Sequence, residues 1–96
     1  MAAYVIVDVE VLEPEPYQEY TRAVPASLEP FGGRFIVRGG AYETLEGTWN
    51  PQRVVVLEFP SVEQANAWHA SPAYQAILPI RQRHARTNFL TVVAGV

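Results

Sequence analysis

Ninety-six residues without a single cysteine point to one domain over residues 1–96 and exclude disulfides, thiolate metal sites and a cysteine nucleophile. Hydrophobic residues make up 49% of the chain, enough for a thin core with apolar surface left for a partner. The net charge of −3, carried with seven arginines, no lysine and no basic run, argues against nucleic acid as a partner.

Residues 3–12 alternate with period two. Val5, Val7, Val9 and Val11 share one face, and Tyr4, Ile6, Asp8 and Glu10 share the other, as in a strand with one apolar and one mixed side. The chain start lacks a positive n-region and its apolar run is cut at Asp8, so it reads as a strand and not as a signal peptide. No run approaches membrane-spanning length, and the expectation is a cytoplasmic protein of bacterial type with no membrane partner.

Pro14 and Pro16 end the strand, and Pro16 suits the first turn of a helix, where its missing N–H costs nothing. Tyr17, Tyr20, Val24, Leu28 and Phe31 then recur at helical spacing as a core-facing stripe. Pro25 predicts a kink or break near Arg22–Val24, and Pro30 with Gly32 marks the end, with Gly32 or Gly33 at positive φ. Gly33–Arg38 reads as a second strand, with Arg34, Ile36 and Arg38 on one face and Phe35 and Val37 on the other.

Residues 41–51 form a long connection, extended in part over Tyr42–Leu45, with turn signals at Gly47 and Asn50-Pro51. Arg53–Phe59 is a third strand, with Val55, Leu57 and Phe59 on one face and Val54, Val56 and Glu58 on the other. Ser61 and Gln64 form a capping-box start for a helix that turns Val62, Ala65 and Trp68 inward. Ser71-Pro72 opens another helical piece with Tyr74, Ile77, Leu78 and Arg81 on one face, and Pro79 predicts that it divides into two short turns. Thr87–Ala94 is a fourth strand.

The order β-α-β-β-α-β predicts an α+β fold of ferredoxin-like type: a four-stranded antiparallel sheet with its helices on one face. The opposite face then carries Tyr4, Ile6, Asp8, Glu10, Arg34, Ile36, Arg38, Val54, Val56 and Glu58, too apolar to be left in water. A second copy of the chain is its natural cover, and a two-fold homodimer through this face encloses a barrel-like space. Two readings of its charges stay open. In one, they are interfacial salt bridges, since arginine pairs bidentately with carboxylates. In the other, Arg34 and Arg38 hold a small anionic or carbonyl compound and Glu58 or Asp8 accepts a proton, in a pocket within the barrel or between sheet and helices.

His69 is a further acid/base candidate, set against the plainer reading of a solvated helix end. His84 lies in a short basic cluster that suits a helix C-terminus or recruits an anion. Trp49, in the long connection, is a candidate pocket lid or dimer contact, set against the plainer reading of a structural role. The glycine pairs at 32–33 and 39–40 lack any phosphate-loop frame. Neither histidine has a second ligand at metal spacing, so no metal is expected, and no cofactor.

Several motifs together resemble the small bacterial proteins grouped as domain of unknown function 1330. They are Tyr17-x-x-Tyr20, Phe31-Gly32-Gly33-Arg34-Phe35, Val37-Arg38-Gly39-Gly40, Leu45-Glu46-Gly47, Trp49-x-Pro51-x-Arg53, Glu58-Phe59-Pro60-Ser61 and Ala67-Trp68-x-x-Ser71-Pro72-x-Tyr74. The resemblance implies a dimeric α+β barrel. The wider superfamily includes cofactor-free monooxygenases, muconolactone-isomerase-like enzymes and haem-degrading relatives. Their catalytic residues do not map onto this sequence, and fold alone does not assign a reaction.

Overall fold

The alternation at the start of the chain becomes β1, Ala3–Val11, whose Val5, Val7 and Val9 are buried. The structure, a computed structural model, describes residues 1–96. Helix α1 spans Pro14–Leu28 with prolines in its first turn, and buries Tyr17, Tyr20, Val24 and Leu28. A 3₁₀ turn, Glu29–Phe31, follows. It closes on Gly32 at φ +70, where a Cβ would strike Pro60, so glycine is required there twice over.

Strand β2, Arg34–Arg38, is joined to β3, Arg53–Phe59, by a connection over residues 39–52. Ser61 caps α2, Val62–Ala70, by accepting from the Gln64 N–H, and Ser71 caps α3, Pro72–His84, by accepting from the Tyr74 N–H. Helix α3 passes directly into β4, Ala85–Ala94, which therefore begins earlier than residue 87.

The strands pair antiparallel in the order β2-β3-β1-β4. One sheet face packs on the helices through Val5, Val9, Leu57 and Phe59, and the core centres on Trp68 and Tyr74. The Trp68 ring lies 4.2 Å from Tyr74 and 5.4 Å from Phe59, and its indole N–H donates to Ser27 Oγ. Tyr20 and Tyr74 join α1 to α3 through a 2.7 Å hydroxyl–hydroxyl bond.

Four expectations need correction. Pro25 neither breaks nor divides α1, and Pro79 does not split α3 into two turns. Both rings lie on exposed positions of helices held by packing, so each costs one hydrogen bond without a clash in the core. Tyr42–Leu45 forms no strand; its connection is tied down by side chains instead, with Thr44 Oγ1 donating to the Trp49 carbonyl.

The fourth correction is the parity of β2. Arg34 faces Glu58 and Phe35 faces Leu57, but then Val37 faces Val56 and Arg38 faces Val55. Ile36 is an extra residue, a β-bulge, and beyond it the side chains exchange faces. Val37 therefore joins the open face, and Arg38 turns towards the helices. Strand β4 is irregular in the same manner: Asp8 faces Phe89 but Val9 faces Thr87, leaving Asn88 as the extra residue.

Candidate functional site

Both bulges serve one place. A cleft runs between α1 and the helix-facing side of the sheet, and Arg38, Arg53 and Arg81 all line it. Arg53 arrives by ordinary alternation, sharing its face with Val55 and Leu57. Arg38 arrives by the bulge at Ile36. Arg81 comes from α3, is 6% exposed, and donates from Nη1 to Thr87 Oγ1 at 2.5 Å. The bulge in β4 is what turns Thr87 to that side.

Pro25 contributes at a distance. With no N–H it leaves the Thr21 carbonyl, four residues back, without its helical donor. Arg38 Nη2 donates to that carbonyl at 2.7 Å, and its guanidinium lies 4.1 Å from the centre of the Phe35 ring. The proline that looked like a helix breaker thus fixes a cation at the cleft mouth. Gly39, at φ +72, has a comparable role: any Cβ there would collide with the Arg53 guanidinium.

No carboxylate lines this cleft. The ion pairs of the molecule lie elsewhere, as Arg34–Glu58, Arg86–Glu10 and His84–Glu13. Nε of Arg53 and Nε of Arg81 are buried with no hydrogen-bond partner in the protein. Arg53 is half-buried, but Arg81 is buried, and a buried guanidinium without a counter-charge is expensive unless something anionic meets it. The Tyr17 phenol lies among the three cations. Burial pushes its pKa up, against the opposing pull of Arg53, Arg81 and Arg38, so it remains a protonated donor at neutral pH.

The cleft has two parts. The inner chamber is about 30 Å³ and mostly apolar, with Val9, Val24, Val55 and Leu57 among its walls and Arg81 within it. The outer depression, about 420 Å³, is open and polar, with Gln18, Thr21, Arg38 and Arg53 around it. Tyr17, Thr21, Arg38 and Arg53 border both.

The residues singled out from sequence are not brought together. Arg38 reaches the cleft. Arg34 and Glu58 are on the open sheet face as an ion pair, with Arg34 Nη2 2.6 Å from Glu58 Oε1; the arginine side chain is 70% exposed, so the pair contributes little stability. Asp8 is buried on the same face under Trp49, whose indole N–H donates to Oδ2 at 2.9 Å while its ring stacks on Phe89. Asp8 Oδ1 is buried without a partner.

His69 stands apart from these, half-buried beside the Trp68 and Tyr74 rings and bordering a groove with Val5, Asn66 and Val92. Burial, helped by Arg81, holds the His69 pKa below its usual 6.5. The folded state thus binds this proton less readily than the unfolded chain, and stability falls as pH drops through 6.5 towards the folded value. A ¹H–¹⁵N titration should place the His69 midpoint below 6.5, and His69→Asn should flatten that part of the stability profile measured by urea unfolding.

Sequence reasoning missed Arg53, Arg81 and Tyr17 as site residues, although their signals were present. Arg53 heads the face of Val55, Leu57 and Phe59, and Arg81 ends the inward stripe of Tyr74, Ile77 and Leu78. A cation on an apolar face is the mark of such a site.

The comparisons place the chain. A family model described as "Domain of unknown function (DUF1330)" matches residues 2–96. The chain belongs to the DUF1330 family. No curated protein matches it.

Among solved structures, the DUF1330 chain resembles a protein of unknown function from Rhodopseudomonas palustris at 20% identity and a TM-score of 0.67, covering 99% of this chain and 82% of the other. It also resembles a dimeric ferredoxin-like protein of unknown function from Thermobifida fusca, at 17% identity and a TM-score of 0.66, covering 99% and 92%. A third, SnoaB from Streptomyces nogalater, described as a cofactor-independent oxygenase, is 11% identical with a TM-score of 0.62 over 99% and 92%. At these identities the likeness carries the ferredoxin-like fold of the DUF1330 chain and nothing of its chemistry.

Proposed function

We propose that this DUF1330 protein is a homodimer that binds a small organic anion in the cleft between α1 and the sheet and needs no cofactor to do so. The observation that carries the reading is the convergence of Arg38, Arg53 and Arg81 on a cleft without a carboxylate. Planar guanidiniums match carboxylate oxygens bidentately, and low exposure strengthens each contact. The same groups favour negative charge developing on a carbonyl oxygen, and the Tyr17 hydroxyl is a proton donor beside them. A small carboxylate that also carries a carbonyl group is therefore the kind of ligand this site suits. The description of SnoaB as a cofactor-independent oxygenase supports cofactor-free chemistry on this fold by analogy.

The homodimer is supported by the open sheet face, where Ile36, Val37, Phe89 and Val93 are each 38–44% exposed, and by the description of the Thermobifida fusca neighbour as dimeric. On that face the charges are structural: Arg34 pairs with Glu58 and Arg86 with Glu10 within one chain. This is the reading in which Arg34, Glu58 and Asp8 stabilise the fold and its interface and have no part in chemistry. Trp49 covers Asp8 there in place of a substrate.

Titration calorimetry with a panel of small aliphatic and aromatic carboxylates tests the proposal. Arg38→Gln combined with Arg53→Gln should weaken any binder about tenfold to several hundredfold, the worth of one or two charge-assisted hydrogen bonds. Arg34→Gln should leave affinity unchanged. Equal affinity in the double variant and the parent, or loss of affinity in Arg34→Gln alone, would remove the cleft from consideration.

A further inference from the structure

Resting on the anion-binding reading above, we infer that the ligand is a dianion: a small dicarboxylate with one carboxylate between Arg38 and Arg53 at the mouth and the other against Arg81 in the inner chamber.

The argument is one of placement. Arg38 and Arg53 border the open depression as well as the chamber, whereas Arg81 borders the chamber alone. Arg81 is 6% exposed, uses Nη1 on Thr87, and has no acceptor for its buried Nε. A monoanion held at the mouth leaves Arg81 uncompensated in an apolar setting, where an unpaired charge is costly. A monoanion drawn inside leaves Arg38 and Arg53 at the mouth without a counter-charge. One ligand that satisfies both positions carries a negative group at each end.

The chamber selects the inner group. Its 30 Å³ accommodates about two water molecules. The planar carboxylate is the group that a single guanidinium such as Arg81 meets bidentately. Between the two ends the walls are Val9, Val55 and the Tyr17 ring, which suit a short hydrocarbon spacer and offer nothing to a polyhydroxylated one.

The test uses the intact protein and calorimetry with the series succinate, glutarate, adipate and pimelate, each against its monomethyl ester. The expected result is that one member binds about tenfold to a hundredfold more tightly than its ester, and that Arg81→Gln abolishes the difference while Arg38→Gln weakens both. Should Arg81→Gln fail to fold, the ester comparison in the parent protein decides alone. Equal affinity for diacid and ester, with both weakened by Arg38→Gln, overturns the dianion and leaves the anion site standing. No binding by any diacid or monocarboxylate overturns both readings.

Discussion

Replacing Trp68 by alanine should cost about 3–5 kcal/mol of folding stability, the range for deleting a large buried aromatic side chain. Small domains have only about 5–15 kcal/mol in total, so much of the population should lose cooperative structure under mild denaturant. Trp68 is 1% exposed and is shared by three neighbourhoods: the Phe59 ring on β3, the Tyr74 ring on α3 and Ser27 Oγ on α1. Removing it leaves a cavity at that junction. It also takes the donor from Ser27, whose hydroxyl itself donates to the Val24 carbonyl at 2.6 Å. Trp68→Phe separates these contributions. It keeps most of the packing and loses the indole N–H, and should cost about 1–2 kcal/mol, the worth of one buried hydrogen bond plus a small void. Urea midpoints followed by circular dichroism give both numbers, and a Trp68→Ala variant as stable as the parent would remove Trp68 from the centre of the core.

Much of this was written in local pattern. The alternation in Ala3–Val11 and Arg53–Phe59 survives unchanged as the two inner strands, because a strand flanked on both sides has its register fixed by two partners. Ser61 and Ser71 act as the caps their spacing suggested. What local pattern misread lies at the sheet edges and at the prolines. A bulge such as that at Ile36 depends on how β2 meets β3, which no period-two count contains. The one-residue exchange there moved Arg38 to the opposite side of the sheet from Arg34 and dissolved the expected cluster with Glu58.

The prolines carry the same lesson in another form. Pro25 weakens an isolated helix, yet here packing holds α1 together and the carbonyl it releases becomes an acceptor for Arg38. The feature that reads locally as a fault is, in three dimensions, a device that positions a guanidinium. Both bulges and one proline therefore depart from regular structure at the same cleft, and departures of this kind concentrate where a binding site is built. Nothing comparable surrounds Arg34 and Glu58, whose strand geometry up to Phe35 is regular.

Ile6→Lys should convert the proposed homodimer into a folded monomer. Ile6 lies on β1 at the middle of the open face, opposite Val56 on one side and Thr91 on the other. In a free monomer the substitution points a lysine into water, from a half-buried site whose cross-strand neighbours are small, and stability should change by about 1 kcal/mol or less. In a two-fold interface it introduces the charge twice, each copy buried and without a carboxylate partner, at a cost of several kcal/mol. The dissociation constant should therefore rise by about three orders of magnitude or more. Light scattering and sedimentation across a concentration series, with circular dichroism as the check on folding, separate dissociation from unfolding. The nearest pairs, Glu58 with Arg34 and Glu10 with Arg86, are already satisfied within one chain, so no spare carboxylate waits to neutralise the new lysine. Asp8 does have an unpartnered oxygen, but it is buried beneath Trp49. A variant that remains dimeric would place the interface elsewhere, and Ile36, Val37, Phe89 and Val93 would then need a different cover.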